Sequence, residues 1–121
     1  MIKLVSMMKR HPDLTMQAFV ERYESHHARL GETLFVKARR FVRRYVQPET
    51  NPLTGETREL DFDVIMELWW DSREDYREAM RGIAASGLLD QVRASGASLF
   101  ASQDNPAFTV IEHDSAMASP V

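Results

Sequence analysis

The chain offers few groups able to do chemistry, and His27 is foremost among them. It falls in the middle of an apolar stripe made by Met16, Phe19, Val20, Tyr23, Leu30 and Leu34. That spacing predicts a helix starting at Met16, with Thr15 as its N-cap and Gly31 closing or weakening it. A histidine enclosed on the core side of a helix has two fates. It pairs quietly with a buried neighbour, or it titrates near neutrality and takes and returns a proton. Spacing alone favours the quiet fate. His26, at the edge of the stripe, is either a surface residue or a substrate contact. The two histidines cannot chelate one ion, because neighbours on a helix do not face each other. A His-Glu-x-x-His pattern is absent, so no metal site is expected.

The oxygen groups come next. Asp63 and Glu67 share one face of a predicted strand, two pleats apart, roughly 13 Å. That is too far for a coupled carboxylate pair. Either can orient His27 or bind a substrate hydroxyl. Equally, they can pair with Arg39, Arg40, Arg43 or Arg44 of the preceding strand. Tyr45 can donate a hydrogen bond to a developing enolate oxygen, or simply pack at a strand end. Tyr23, Phe41, Trp69 and Trp70 can line an aromatic pocket, although core or dimer packing accounts for most aromatics at these spacings. His113, close to the end of the last strand, is a weaker candidate for the site or for a dimer rim.

Much chemistry is excluded. The 121 residues contain no cysteine, which removes disulfides, iron–sulfur clusters, thiolate zinc sites and a Cys nucleophile. There is no Gly-x-Gly-x-x-Gly, no P-loop and no Gly-x-Ser-x-Gly. The net charge of −3 argues against a general nucleic-acid binder. No stretch approaches the roughly 18 apolar residues of a membrane span. The N-terminus is too short and too charged for a signal peptide, so a cytoplasmic location is the default. Proton transfer without a cofactor is the simplest chemistry left.

These groups must be positioned by a small set of elements. Ile2–Met8 reads as a strand, and Met16 starts the helix described above. Residues 36–47 alternate apolar residues with arginines as a strand does, and Pro48 ends it. Residues 49–59 form a long polar loop, either a lid or a plain connector. Phe62–Trp70 is a strand with apolar residues on both faces. Ser72 and Asp75 make a capping-box pattern for a helix carrying Tyr76, Ala79, Met80 and Ile83. Gly87 breaks the pattern before a short helix with Leu88, Leu89, Val92 and Leu99. Phe108–His113 reads as the last strand, within a single domain of residues 1–113. Residues 114–121 read as a flexible tail. The order predicts an α+β, ferredoxin-like βαββαβ fold with a four-stranded antiparallel sheet. Helices cover one sheet face. Apolar residues on the other predict a homodimer with facing sheets.

Several residues resemble the EthD family of the dimeric α+β barrel superfamily. Lys9-Arg10, Pro12-Asp13-Leu14-Thr15 and Phe19-x-x-x-Tyr23 resemble that family's opening strand and helix. His27-Ala28 stands where the family has His-Ala-Pro, with Arg29 in place of the proline. Arg44-Tyr45-Val46-Gln47, Phe62-Asp63 and Glu67-Leu68-Trp69 resemble its second and third strands. The resemblance implies a dimeric α+β barrel. It also implies enzymes of small-molecule catabolism or of polyketide and aromatic biosynthesis: lactone isomerases, dehydratases or cyclases. It moves His27 from quiet core residue to functional group. The expected site is then His27 as acid or base, Tyr45 at the enolate, and Glu67 or Asp63 as orienter. Tyr23, Phe41, Trp69 and His26 would meet a small-molecule substrate, with no cofactor. Related barrels also bind haem, so a haem protein ligated by His27 or His113 is one alternative. A non-catalytic small-molecule-binding dimer is another.

Overall fold

A computed structural model describes residues 1–120. The first strand, β1 (Ile2–Met8), leads into a turn and a helix in three consecutive pieces. These are α1 (Met16–Arg22), a π-helical turn (Tyr23–His27) and α2 (Ala28–Leu34). Then come β2 (Arg40–Tyr45), β3 (Val64–Trp70), α3 (Arg73–Ala85), α4 (Leu89–Leu99) and β4 (Ala107–Thr109). The four strands pair in the order β2-β3-β1-β4, every neighbour antiparallel. This is the ferredoxin-like fold read from the sequence.

Local chemistry starts the helices where the sequence places them. Thr15 accepts a hydrogen bond from Ala18 N at 3.1 Å, and Ser72 accepts one from Asp75 N at 3.1 Å. Each supplies a partner for an otherwise orphaned amide of a first turn. Register then sorts side chains by parity. Met8–Val64, Ser6–Met66, Leu4–Leu68 and Ile2–Trp70 lie opposite one another, as do Tyr45–Val64 and Phe41–Leu68. All of these share the helix-covered face. There Phe19, Tyr23, Leu99 and Phe100 pack on Val64 and Met8, while Ala79 of α3 packs on Leu68 and Trp70. Fully burying a side chain such as Phe19 contributes about 1.5–3 kcal/mol. The opposite parity, including Val5, Val42, Ile65, Glu67 and Trp69, has no helix over it.

Several boundaries differ from the sequence reading, with β3 starting at Val64 rather than Phe62 and β2 ending at Tyr45 rather than residue 47. The second strand begins at Arg40 rather than Val36, because residues 36–39 form the turn between α2 and β2. Lys37 there adopts a φ of 61°, and Val36 O accepts a hydrogen bond from Trp70 Nε1 at 2.9 Å. The last strand is only Ala107–Thr109, since pairing with β1 stops at Leu4 opposite Thr109. Residues 110–120 are exposed and form no regular element. Gly31 does not end the helix, which runs on to Leu34. Within the long connection, Thr50 bridges Thr57, and Asn51 N donates to Glu56 O at 2.8 Å. The loop is thus a small hairpin, with Gly55 at a φ of 74°.

Candidate active site

The π-helical turn brings the candidate residues together. Buried positions along the first helix run Phe19, Tyr23, Ala28, Gly31 and Leu34. The step from Tyr23 to Ala28 is five residues, and Ala28 N donates to Tyr23 O across the wide turn. One extra residue per turn rotates the remainder of the helix, so Gly31 rather than Leu30 meets the sheet. Tyr23 and His27, four residues apart on this helix, lie side by side, their rings 5.2 Å apart and edge to face. Phe100 packs on His27 in the same manner at 5.3 Å. Gly31 is required by close approach: a Cβ there would lie 2.8 Å from the Phe41 ring.

A narrow cavity of about 60 Å³ opens beside these rings. Its walls are Met8, Tyr23, His27, Gly31, Leu34, Phe35, Phe41, Met66 and Val92. No lysine, arginine, aspartate or glutamate lines it, nor does any residue of the 46–63 connection. His27 Nδ1 lies 2.8 Å from the hydroxyl of Ser95 on α4. Its Nε2 has no hydrogen-bond partner among the described residues and is not sealed from solvent. Burial lowers the His27 pKa to about 4, and neighbouring His26 pushes the same way. The imidazole is therefore uncharged near neutral pH. The Tyr23 hydroxyl likewise lacks a protein partner without being sealed off. Burial holds its pKa above the usual tyrosine range, so it stays a protonated donor.

Beside the cavity lies a charged knot. Glu24 accepts two hydrogen bonds from Arg43, at 3.0 and 2.5 Å, and one from the Tyr45 hydroxyl. The Arg43 bond holds the Glu24 pKa below the usual carboxylate range. Burial, followed by the bond to Glu24, raises that of Tyr45.

The expected site is therefore only partly assembled. His27, Tyr23 and Phe41 line one cavity. Tyr45 does not line it, and its hydroxyl is already donated to Glu24. Glu67 cannot orient His27, because it lies on the uncovered sheet face, where it accepts from Arg44 and from Trp69 Nε1. Trp69 is on that face too, with Lys3 over its ring at 3.6 Å and Arg40 at 4.5 Å. Asp63 sits at the strand end, accepting from Arg10 N at 2.9 Å with Lys9 Nζ 3.6 Å away. His26 is exposed, and His113 lies in the exposed segment after β4. Ser95 and Glu24 are neighbours of the candidate residues that the sequence reading missed. Ser95 had a legible signal, since it sits three residues after Val92 and four before Leu99 on the inner stripe of α4. Glu24 had none.

Among the described residues no group of three or more His, Asp or Glu is placed to hold a metal ion. No helix among them is long and apolar enough to cross a membrane.

Comparison with known proteins agrees with this architecture. An EthD family protein from Bacillus halodurans superposes with a TM-score of 0.60 at 18% identity, covering 93% of this chain and all of that one. A protein from Arabidopsis thaliana gives a TM-score of 0.61 at 13% identity, covering 97% and 100%. A NIPSNAP domain protein from Burkholderia xenovorans gives 0.58 at 8% identity, covering 98% and 100%. At these identities the likeness speaks to the fold. No protein of curated function matches the sequence significantly. The family model for the EthD domain matches residues 11–87, a span that holds His27, Tyr23 and Phe41 and ends before Ser95. The chain belongs to the EthD family.

Proposed function

We propose that the protein is a small cofactor-independent enzyme that moves a proton on an uncharged, largely apolar carbonyl compound. The observation that carries this reading is an uncharged His27 lining an apolar cavity, its Nδ1 engaged by Ser95 and its Nε2 without a hydrogen-bond partner among the described residues. Nε2 takes a proton from the carbon beside a carbonyl, and the C–H electron pair moves through to the carbonyl oxygen, giving an enolate. The Tyr23 hydroxyl donates a hydrogen bond to that oxygen, in the role the sequence assigns to Tyr45. Nε2 then returns the proton. Return to another carbon isomerises the compound, and return to a departing hydroxide dehydrates it. Attack of the enolate carbon on a second carbonyl closes a ring as that carbonyl's π pair moves to its oxygen, and Nε2 returns the proton to the resulting alkoxide. The apolar walls strengthen each of these interactions. The absence of cations in the lining favours neutral substrates over carboxylates.

The working unit we propose is a homodimer formed by the uncovered sheet faces. Val5, Met7, Val42, Ile65, Trp69 and Phe108 share that face by register and parity, with Phe108 still 39% exposed. So many apolar residues on a face without a helix support a partner subunit as its cover.

The catalytic reading is tested by deuterium exchange at the α-carbon of acetylacetone or a cyclic enone in D₂O, monitored by proton NMR. Wild-type protein is expected to accelerate exchange over buffer, and His27→Ala to abolish the acceleration. Equal rates for wild type and a folded His27→Ala variant would remove His27 from the mechanism.

A further inference from the structure

A neutral histidine has two different nitrogens, and the hydrogen bond at one decides what the other can do. In this protein Nδ1 is engaged by Ser95 Oγ at 2.8 Å. Ser95 does not line the cavity, whereas His27 does. The hydroxyl therefore stands behind the ring and the cavity in front of it. We infer that Ser95 is the positioning residue for His27, holding Nδ1 so that Nε2 is the nitrogen offered to the ligand. This rests on the reading of His27 as the proton-transfer group.

The placement of Ser95 is itself secured. Gln103 packs so closely on the adjacent Gly96 that a Cβ there would lie 2.7 Å from its Oε1. Gln103 Nε2 also donates to Arg93 O at 2.7 Å. At the end of α4, His11 N donates to Leu99 O at 2.8 Å, and Ala101 N to Lys9 O at 2.9 Å. These bonds tie α4 to the end of β1, whose Met8 forms a cavity wall. The Ser98 hydroxyl donates to the Ser95 backbone oxygen at 2.9 Å, so it does not compete for Ser95 Oγ.

A hydroxyl suits this post. It accepts from Nδ1–H while Nε2 acts as a base or the ring is an imidazolium. By rotating it donates to a bare Nδ1 when Nε2 carries the proton. A carboxylate could only accept, and it would favour the charged ring. No carboxylate faces His27 from any element packed against it. Its own helix supplies Tyr23 and His26, α4 supplies Val92 and Ser95, the segment after α4 supplies Phe100, and the strands supply Met8, Phe41 and Met66. With no anion opposite the ring, burial keeps the resting imidazole uncharged.

The test is a long-range ¹H–¹⁵N titration of the full chain, with His27 assigned by its loss in His27→Gln. Ser95→Ala is expected to move the Nδ1 shift and to lower α-proton exchange by about 10- to 100-fold. Ser95→Thr, which keeps the hydroxyl, is expected to restore both. Ser95→Asp is expected to raise the His27 midpoint by about one unit or more. Identical Nδ1 shifts and midpoints in wild type and Ser95→Ala would overturn the inference. Unchanged exchange in His27→Ala would instead overturn the catalytic reading, while leaving the Nδ1 result to stand by itself.

Discussion

The two faces of the sheet are built from the same strands and present different surfaces. On the covered face His27, Tyr23 and Phe41 line an apolar slot, and the one charged knot near it, Glu24 with Arg43 and Tyr45, is internally neutralised. On the uncovered face charge and aromatic surface alternate: Lys3 and Arg40 flank Trp69, and Arg44 meets Glu67. The difference comes from parity alone. A strand sends successive side chains to opposite faces, so neighbours in sequence such as Met66 and Glu67 belong to different regions. Proton chemistry suits the first region, where a free imidazole nitrogen meets apolar walls. Recognition of another surface suits the second.

Substitutions can break this division, and the largest effect is expected at His27. His27→Ala should lower α-proton exchange by about 10²- to 10⁴-fold. Glu67→Gln, on the other face, should leave the exchange rate per folded chain within about twofold, an expectation drawn from its separation from the cavity. A large loss in Glu67→Gln would mean that the faces are coupled. Gly31→Ala ranks next. Its methyl would press on Phe41 and Phe35, costing about 1–3 kcal/mol in urea unfolding and narrowing the slot. Tyr23→Phe should cost about 10- to 100-fold in exchange, with little change in stability. An unaltered rate would return the enolate role to another donor. On the uncovered face, Trp69→Asp should shift the sedimentation equilibrium toward monomer while His27 keeps its NMR signature.

A smaller effect is expected in stability against pH. The folded pKa of His27 lies near 4, below the ordinary histidine value of 6.5. Between those values the unfolded chain binds a proton that the folded chain does not. Stability from this group is therefore present above pH 6.5 and is lost as pH falls toward 4. Urea midpoints measured between pH 7 and 4 should fall less steeply in His27→Gln than in wild type. Equal slopes would show that His27 is not buried as a neutral ring.

Much of the architecture was legible in the sequence. Strand order, both N-caps and the two-sided third strand come from periodicity and capping chemistry, which act locally. The grouping of Glu67 and Trp69 with His27 failed although the parity itself was visible. Deciding which parity faces the helices needs the whole sheet. The π-helical turn was not legible: Tyr23-Glu-Ser-His-His27 carries no breaker, and a regular helix predicts Leu30 where Gly31 stands. Tyr45 and Glu24 are joined across 21 positions of sequence, and a contact of that kind leaves no periodic mark.

In the proposed mechanism His27 acts as an uncharged base in an apolar slot. The pH dependence of α-proton exchange tests it most directly, because the rate tracks the deprotonated fraction of the base. An uncharged His27 base gives a rate that stays flat from pH 8 to about 5.5 and falls with a midpoint near 4. A midpoint at 6.5 or above would contradict it, since it would mark an ordinary solvated histidine or a different base.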